Sequence, residues 1–317
     1  MASQLKKILG SETEVIFFGK TYSYPIIKCC SAIDGFINYD TFSGLNKEGQ
    51  VNYLREFNAD AIIHVFPRLD ISKAAKKSKI GLRIGTTNRI YHWLTCNRLV
   101  TLTRKNSSLH EAQLNMMLLK PFDFTRNISI NEIPPLYNFN KTSLLPEKFS
   151  DKLSTEKFKL VLHPKSNASA REWKTDHFKE LIRLLPQDKI QFIITGGKTE
   201  KTFIDEWSKE LPANVYNLAG KLLLDELISL LNSCDGIVAA STGPLHISAA
   251  LGKYALGIFP PIRPIDPGRW APVGYKSDFL VAAKSCSECR SVPENCHCIN
   301  EISPEMVSQR VIQWLNK

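Results

Sequence analysis

The sequence lacks the short motifs that most often identify a nucleotide-binding or hydrolytic enzyme. It contains no G-x-x-x-x-G-K-[ST] loop, no G-x-G-x-x-G fingerprint, no G-x-S-x-G elbow and no H-E-x-x-H pair. No D-x-D pair occurs either, so a metal-dependent nucleotide-sugar site has no obvious ligands. The chain also has no run of about 18 apolar residues and no secretory h-region. We expect a globular, cytoplasmic protein without a bound cofactor.

Acidic residues are outnumbered by basic ones, 31 against 41, and the net charge is +10. Between Asp70 and Glu111 there is no acid at all, and nine basic residues occur there: Lys73, Lys76, Lys77, Lys79, Arg83, Arg89, Arg98, Arg104 and Lys105. This balance suits an anionic partner such as nucleic acid, a phosphorylated substrate or an anionic membrane surface. A solvated basic face explains the stretch equally well. Because no known nucleic-acid-binding module is present, we expect no nucleic-acid partner.

The eight cysteines fall into two groups. Four are scattered along the chain and are typical of buried thiols: Cys29, Cys30, Cys96 and Cys234. The other four are clustered: Cys286, Cys289, Cys296 and Cys298. Structural disulfides are rare in the cytosol, so the cluster raises the alternative of a zinc site. The Cys-x-Cys pair is a poor second half for such a site, and reduced thiols are favoured.

The second half of the chain alternates between strand-like and helix-like patterns. The predicted strands are Phe158–His163, Ile190–Thr195, Val215–Leu218, Gly236–Ala240 and Tyr254–Phe259. Helical spacing of apolar residues separates them, as in Thr175–Leu185. Repeated β–α alternation predicts a parallel, doubly wound sheet with helices on both faces. A final helix is predicted over about 303–316, where it can pack back on the N-terminal domain.

The first half repeats this alternation less regularly. Its predicted strands are Val15–Phe18, Gly35–Asn38, Ala61–Phe66 and Ile80–Ile84. The stretch Phe122–Ser154 is rich in Pro, Asn and Ser and is the predicted linker. We therefore expect an α/β protein with two Rossmann-like domains, 1–150 and 151–317. Ligands of such sheets bind at the carboxyl ends of the strands.

Three loops at predicted strand ends carry groups suited to an anionic ligand. His163–Trp173 combines hydroxyl, amide and guanidinium donors, which could equally form a polar connection that caps a helix. Ala240–His246 leads from a strand into a helix whose free N–H groups form an anion site, with Gly243 allowing close approach. Pro260–Pro272 is a rigid, proline-rich loop, for which a surface turn is the alternative.

Taken in order, five segments resemble the heptosyltransferase family, glycosyltransferase family 9. They are H-P-K-S…R-E-W at His163–Trp173, I-I-T-G-G at Ile193–Gly197, N-L-A-G-K at Asn217–Lys221, S-T-G-P-L-H at Ser241–His246 and D-P-G-R-W at Asp266–Trp270. R-I-G-T at Arg83–Thr86 and H-E-A-Q-L-N at His110–Asn115 are weaker similarities. The resemblance implies the GT-B fold, in which two Rossmann-like, doubly wound domains face each other across a cleft.

The resemblance also implies an activity and its partners. Family members are inverting, metal-independent glycosyltransferases that move a sugar, typically heptose from ADP-heptose, onto the lipopolysaccharide inner core. The expected partners are thus a nucleotide sugar and a lipopolysaccharide or other glycan acceptor. Because the family's N-terminal half takes the acceptor, the basic stretch is expected to meet phosphorylated lipid or the inner face of an anionic inner membrane.

Donor-binding residues can be carried over at matching positions. Ser166 and Arg171 should hold the donor phosphates, and Thr242, Gly243 and His246 should line the diphosphate and sugar. Glu200 is a candidate for the ribose hydroxyls, and Asn217–Leu223 should border the base. Ser241 belongs to the same site, although family members often have an acid there.

The start of the chain departs from the family pattern. Family members begin with a strand and a Gly-Asp turn whose Asp is the proposed catalytic base, and a helix follows that Met1–Lys7 resembles. The base is therefore expected N-terminal to Met1, and no catalytic residue is assigned. Two alternatives remain: an N-terminally shortened form of a full enzyme, or a nucleotide-sugar-binding protein with impaired catalysis.

Overall fold

The computed structural model describes residues 1–104, 107–167, 170–283 and 297–316. It is an α/β protein that divides into two compact units, Met1–Asn138 and Phe139–Lys317. Every strand pairing in the described residues is parallel. No described helix is both long and apolar enough to span a membrane.

The first unit contains two separate parallel sheets. One pairs β1 with β2, and the other has the order β3-β4-β5. The strands are β1 (Ile16–Gly19), β2 (Gly35–Asn38), β3 (Ala61–Ile63), β4 (Leu82–Thr86) and β5 (Arg98–Val100). The helices are α1 (Ala2–Leu9), α2 (Tyr24–Ile27), α3 (Tyr39–Gly44), α4 (Lys47–Arg55), α5 (Leu69–Lys77), α6 (Ile90–Thr95) and α7 (Glu111–Met116).

Local sequence explains where several of these helices begin. Asn38 and Asn46 accept hydrogen bonds from Asp40 N and Gly49 N, each at 2.8 Å, and so cap α3 and α4. Phe42 of α3 is fully buried against α4 and α5, in a cluster that includes Leu54 and Ala75. These contacts hold the helices on one side of the first unit.

The second unit is built on one six-stranded sheet with the order β11-β10-β9-β6-β7-β8. The strands are β6 (Phe158–His163), β7 (Ile190–Ile194), β8 (Val215–Asn217), β9 (Gly236–Ala240), β10 (Tyr254–Phe259) and β11 (Ser277–Val281). The helices are α8 (Glu147–Ser150), α9 (Thr175–Leu184), α10 (Lys201–Ser208), α11 (Leu224–Ser233), α12 (Gly243–Ala250), α13 (Pro267–Trp270) and α14 (Pro304–Leu315).

The core of this unit matches the predicted apolar pattern. Phe178, Leu181 and Ile182 of α9 are buried, as the helical spacing requires. All five residues of β9 are buried, which is typical of a parallel strand covered on both faces. α14 packs on α9, and Trp314 stacks on Tyr254 with a centroid separation of 5.1 Å. Its predicted contact with the first unit stays a prediction.

The division between the units falls at Asn138, ahead of the predicted boundary at residue 150. Asn138 hydrogen-bonds to residues near the N-terminus, since its amide donates to Ser3 Oγ at 3.1 Å. Beyond it, Thr142 accepts from Asn232 Nδ2 at 3.0 Å, and Lys152 O accepts from Gln191 Nε2 at 2.7 Å. The second half of the predicted linker is thus attached to the second unit by polar contacts that its composition does not reveal.

Candidate donor-binding site

The order of the six-stranded sheet places a topological switch point between β6 and β9. These strands are direct neighbours, with His163 opposite Ala239. The chain then continues outward in opposite directions, from β6 to β7 and from β9 to β10. Ligands of doubly wound sheets bind at such a switch point, outside the carboxyl ends of the strands. The loops after β6 and β9, predicted from sequence to bind an anion, are therefore neighbours.

The loop after β9 contains a buried hydroxyl that has no hydrogen-bond partner among the described residues. Thr242 is the N-cap residue of α12 and is 4% exposed, yet its hydroxyl has no hydrogen-bond partner within the described chain. A Cβ added at Gly243 would meet no atom within 4 Å, so open space lies beside this turn. Free N–H groups in the first helical turn attract anions. His246, half-buried, lies in this turn, and Ser241 immediately precedes the N-cap.

The loop after β6 is organised by Glu172, a role that sequence analysis did not assign. Its Oε1 accepts from Ser166 N at 2.8 Å and from Ser166 Oγ at 2.9 Å. Its Oε2 forms a salt bridge with Lys165. Ser166 is thus 6% exposed and held by the protein itself. Arg171, the adjacent residue, is half-buried at the same loop.

Glu200 joins this loop to the one that follows β7. Its carboxylate accepts from Asn167 N at 2.9 Å and from Gly197 N at 2.6 Å. An ionised carboxylate offers about four lone-pair sites, so these two bonds leave acceptor capacity for a ligand hydroxyl. The structure therefore gives Glu200 a bridging role beside the ribose contact predicted for it.

A buried histidine lies at the same edge of the sheet. The Nδ1 atom of His163, the last residue of β6, is 2.9 Å from Oγ1 of Thr195, which directly follows β7. Burial lowers the pKa of His163 to about 4, so the imidazole is neutral near pH 7. A neutral ring can orient Thr195 but brings no positive charge to a phosphate.

The two remaining resemblance segments form compact turns. Gly220 adopts φ +68 and its N–H donates to Gly196 O at 2.9 Å, linking the turn after β8 to the end of β7. The Asn217 side chain is used internally, by Asp205, Ser208 and Ala219 N. Asp266 is the N-cap residue of α13.

The cysteine cluster is only partly within the described chain. Cys286, Cys289 and Cys296 lie outside the described residues, and Cys298 is buried in the core of the second unit. Among the described residues, no group of three or more His, Cys, Asp or Glu side chains could hold a metal ion. Zinc binding by the cluster stays a prediction.

Comparisons with known proteins agree with this architecture. The family model described as glycosyltransferase family 9 (heptosyltransferase) matches residues 52–299. A putative glycosyltransferase of Haemophilus influenzae is 30% identical over 226 residues, which are 68% of this chain and 64% of that protein. Lipopolysaccharide heptosyltransferase 2 of Escherichia coli K12 is 28% identical over 154 residues, 46% of this chain and 42% of that protein. The chain thus aligns with 42–64% of the length of these two relatives.

Solved structures share the fold over almost the whole chain. E. coli ADP-heptose lps heptosyltransferase II superposes with a TM-score of 0.73 at 17% identity, covering 99% of this chain and 94% of that one. E. coli heptosyltransferase WaaC with ADP gives a TM-score of 0.70 at 16% identity, covering 99% and 94%. These likenesses confirm the predicted α/β GT-B fold with Rossmann-like domains.

Proposed function

Because the chain belongs to glycosyltransferase family 9, the heptosyltransferase family, we propose that it transfers a sugar from a nucleotide-sugar donor to a glycan acceptor. ADP-heptose is the proposed donor, and the lipopolysaccharide core is the proposed acceptor. Support comes from the relatives named as heptosyltransferases and from a structural neighbour bound to ADP.

The observation that carries the proposal is a buried, unpaired hydroxyl beside open space at the β6–β9 switch point. The Thr242 hydroxyl has no partner within the described chain, and the space beside Gly243 is open at the start of α12. A diphosphate placed there would accept hydrogen bonds from the Thr242 hydroxyl and from the first N–H groups of α12. Arg171, in the loop after the neighbouring strand, would supply a full positive charge.

The chemistry follows from where charge develops. The acceptor hydroxyl attacks the anomeric carbon from the face opposite the diphosphate, so the bond to the diphosphate oxygen breaks and the configuration inverts. A general base takes the hydroxyl proton. Arg171 and the start of α12 stabilise the departing diphosphate, which is the role that a metal plays in other nucleotide-sugar sites. Metal independence is supported by the lack of a D-x-D pair in the sequence.

Transfer is tested by incubating the chain with ADP-heptose and a heptose-deficient lipopolysaccharide core. We expect ADP release and an acceptor heavier by one heptose, measured by mass spectrometry. Because no metal is proposed, EDTA should leave the rate unchanged. If the chain binds the donor but transfers no sugar, even in a single turnover, the proposed transferase activity is wrong. The chain would then be a nucleotide-sugar-binding protein.

Donor placement is tested separately with Thr242→Val, which removes the hydroxyl and keeps the side-chain shape. The affinity for ADP should fall by about 1.5–3 kcal/mol, the worth of a hydrogen bond to a charged group. Stability should not fall, because the hydroxyl is buried without a partner. Thr202→Val, on the exposed part of α10, is the matched control. Calorimetry that finds equal ADP affinity for both variants would place the diphosphate elsewhere.

A further inference from the structure

The helix α6 exposes its apolar residues and buries its polar ones. Ile90, Trp93 and Leu94 are 85%, 62% and 72% exposed, while His92 and Thr95 are buried. The three apolar residues have i, i+3, i+4 spacing, so they share one face of the helix. The indole N–H of Trp93 donates a hydrogen bond to Thr87 O at 3.0 Å. The exposed indole therefore has no unpaired polar group.

One further exposed apolar side chain follows a strand that packs against α6. The ring of His64, just after β3, contacts the ring of His92 with a centroid separation of 5.1 Å, so the β3 end lies against α6. Phe66, two residues beyond His64, is 80% exposed. We call Ile90, Trp93 and Leu94 the α6 patch. Exposed apolar surface of this kind marks a protein or membrane contact.

Cations border the α6 patch. Lys76 on α5 donates to Leu94 O at 2.8 Å, which joins the exposed basic face of α5 to the end of α6. Lys73 is exposed on α5, and Arg89 is exposed directly before α6. No acidic residue occurs between Asp70 and Glu111 to neutralise them.

Other members of the basic stretch serve the fold instead. The guanidinium of Arg83 bonds to Thr95 O at 2.9 Å, and that of Arg104 bonds to Glu111 at 2.7 Å. Among the described residues, Lys73, Lys76 and Arg89 remain exposed on α5 and directly before α6. The basic stretch therefore contains two kinds of residue: cations that bond to other parts of the protein and cations that are exposed to solvent.

We propose that the α6 patch inserts into the headgroup region of an anionic lipid bilayer, with the α5 lysines and Arg89 on the lipid phosphates. Interfacial segments combine an apolar face with Lys and Arg, and Trp is favoured at the boundary between acyl chains and headgroups. α6 is far too short to cross a bilayer, so it lies in the interface. A second copy of the chain fits less well, because a two-fold contact through this patch would bring like charges together.

The test measures co-sedimentation with vesicles of phosphatidylcholine alone and of phosphatidylcholine mixed with phosphatidylglycerol. The wild-type chain should bind the mixed vesicles and bind the neutral ones weakly. The triple variant Ile90→Ser, Trp93→Ser, Leu94→Ser should lose roughly tenfold to a hundredfold in affinity, because interfacial binding scales with buried apolar area. Lys73→Gln and Arg89→Gln should each cost about fivefold at low salt. Leu144→Ser is the control, since Leu144 is 94% exposed in the other unit.

Circular dichroism melting establishes that each variant is folded, and Ile90→Ser alone replaces the triple variant if that one unfolds. Two results overturn the proposal: no binding of the wild-type chain to anionic vesicles, or equal binding by the wild-type chain and the folded patch variant. A wild-type dimer that the patch variant converts to a monomer, without vesicle binding, would assign the patch to self-association instead. Vesicle binding does not depend on the donor site, so this outcome is separate from that of the transfer assay.

Discussion

Glu172 shows how one side chain can fix the conformation of the loop after β6. Its Oε1 holds both the N–H and the hydroxyl of Ser166, and its Oε2 pairs with Lys165. The backbone of the loop is therefore set by a carboxylate that itself faces the protein. Sequence reasoning selected Ser166 and Arg171 because hydroxyl and guanidinium groups bind phosphate. It passed over Glu172, because a carboxylate beside an anion site is useful only through contacts that need the folded loop.

This arrangement predicts an order among variants at position 172. Glu172→Ala removes the acceptor of the Ser166 N–H and should cost about 1–3 kcal/mol, while the Ser166 hydroxyl keeps its hydrogen bond to Ala170 O at 3.1 Å. Glu172→Gln keeps an amide oxygen for the Ser166 N–H and loses only the partly exposed salt bridge, worth about 0–1 kcal/mol. Urea denaturation should therefore give a clearly larger free energy of unfolding for Glu172→Gln than for Glu172→Ala. Equal losses would show that the charge, and not the acceptor position, holds the loop.

At the scale of elements, two glycine turns differ in what they require. Gly220 has φ +68, and a Cβ there would lie 2.9 Å from Lys201 Cβ. Gly220→Ala should thus destabilise the chain by about 1–3 kcal/mol through backbone strain alone. Gly243 has open space around it, so Gly243→Ala should leave the melting temperature almost unchanged and weaken ADP binding. Scanning calorimetry and ADP titration of the two variants should give opposite results; a destabilised Gly243→Ala would show that this glycine serves the fold.

The same scale shows what the sequence could predict. Strands β6, β7, β9 and β10 were predicted because each is an apolar run, buried on both faces, that ends at Gly or a polar loop. The edge strand β11 was missed, since only Leu280 among its five residues is buried and its alternation is weak. β5 was missed for a similar reason, being three residues long and beginning with the exposed Arg98.

The whole molecule keeps a buried neutral histidine in each unit. Burial lowers the pKa of His64 in the first unit, and of His163 in the second, to about 4. The sequence did not predict that either ring is buried and neutral, because a histidine in a sequence gives no sign of its burial. Both rings lie at carboxyl ends of strands, directly after β3 and at the end of β6.

These two histidines predict how stability depends on pH. Above about pH 6.5, the ordinary pKa of histidine, both states are neutral and the rings contribute nothing. Between about pH 6.5 and 4 the unfolded chain binds protons that the folded chain does not, so stability falls by about 1.4 kcal/mol per pH unit for each histidine. Urea denaturation at pH 7.5, 6 and 5 should show this loss. The contribution of the two histidines to the free energy of unfolding should be roughly independent of pH only above about pH 6.5. His163→Gln keeps a side chain able to bond Thr195 but cannot titrate, so the second unit should lose less stability on acidification than in the wild type. If the variant and the wild type lose stability equally between pH 6.5 and 5, His163 is already charged when folded, and its burial does not govern the acid sensitivity of that unit.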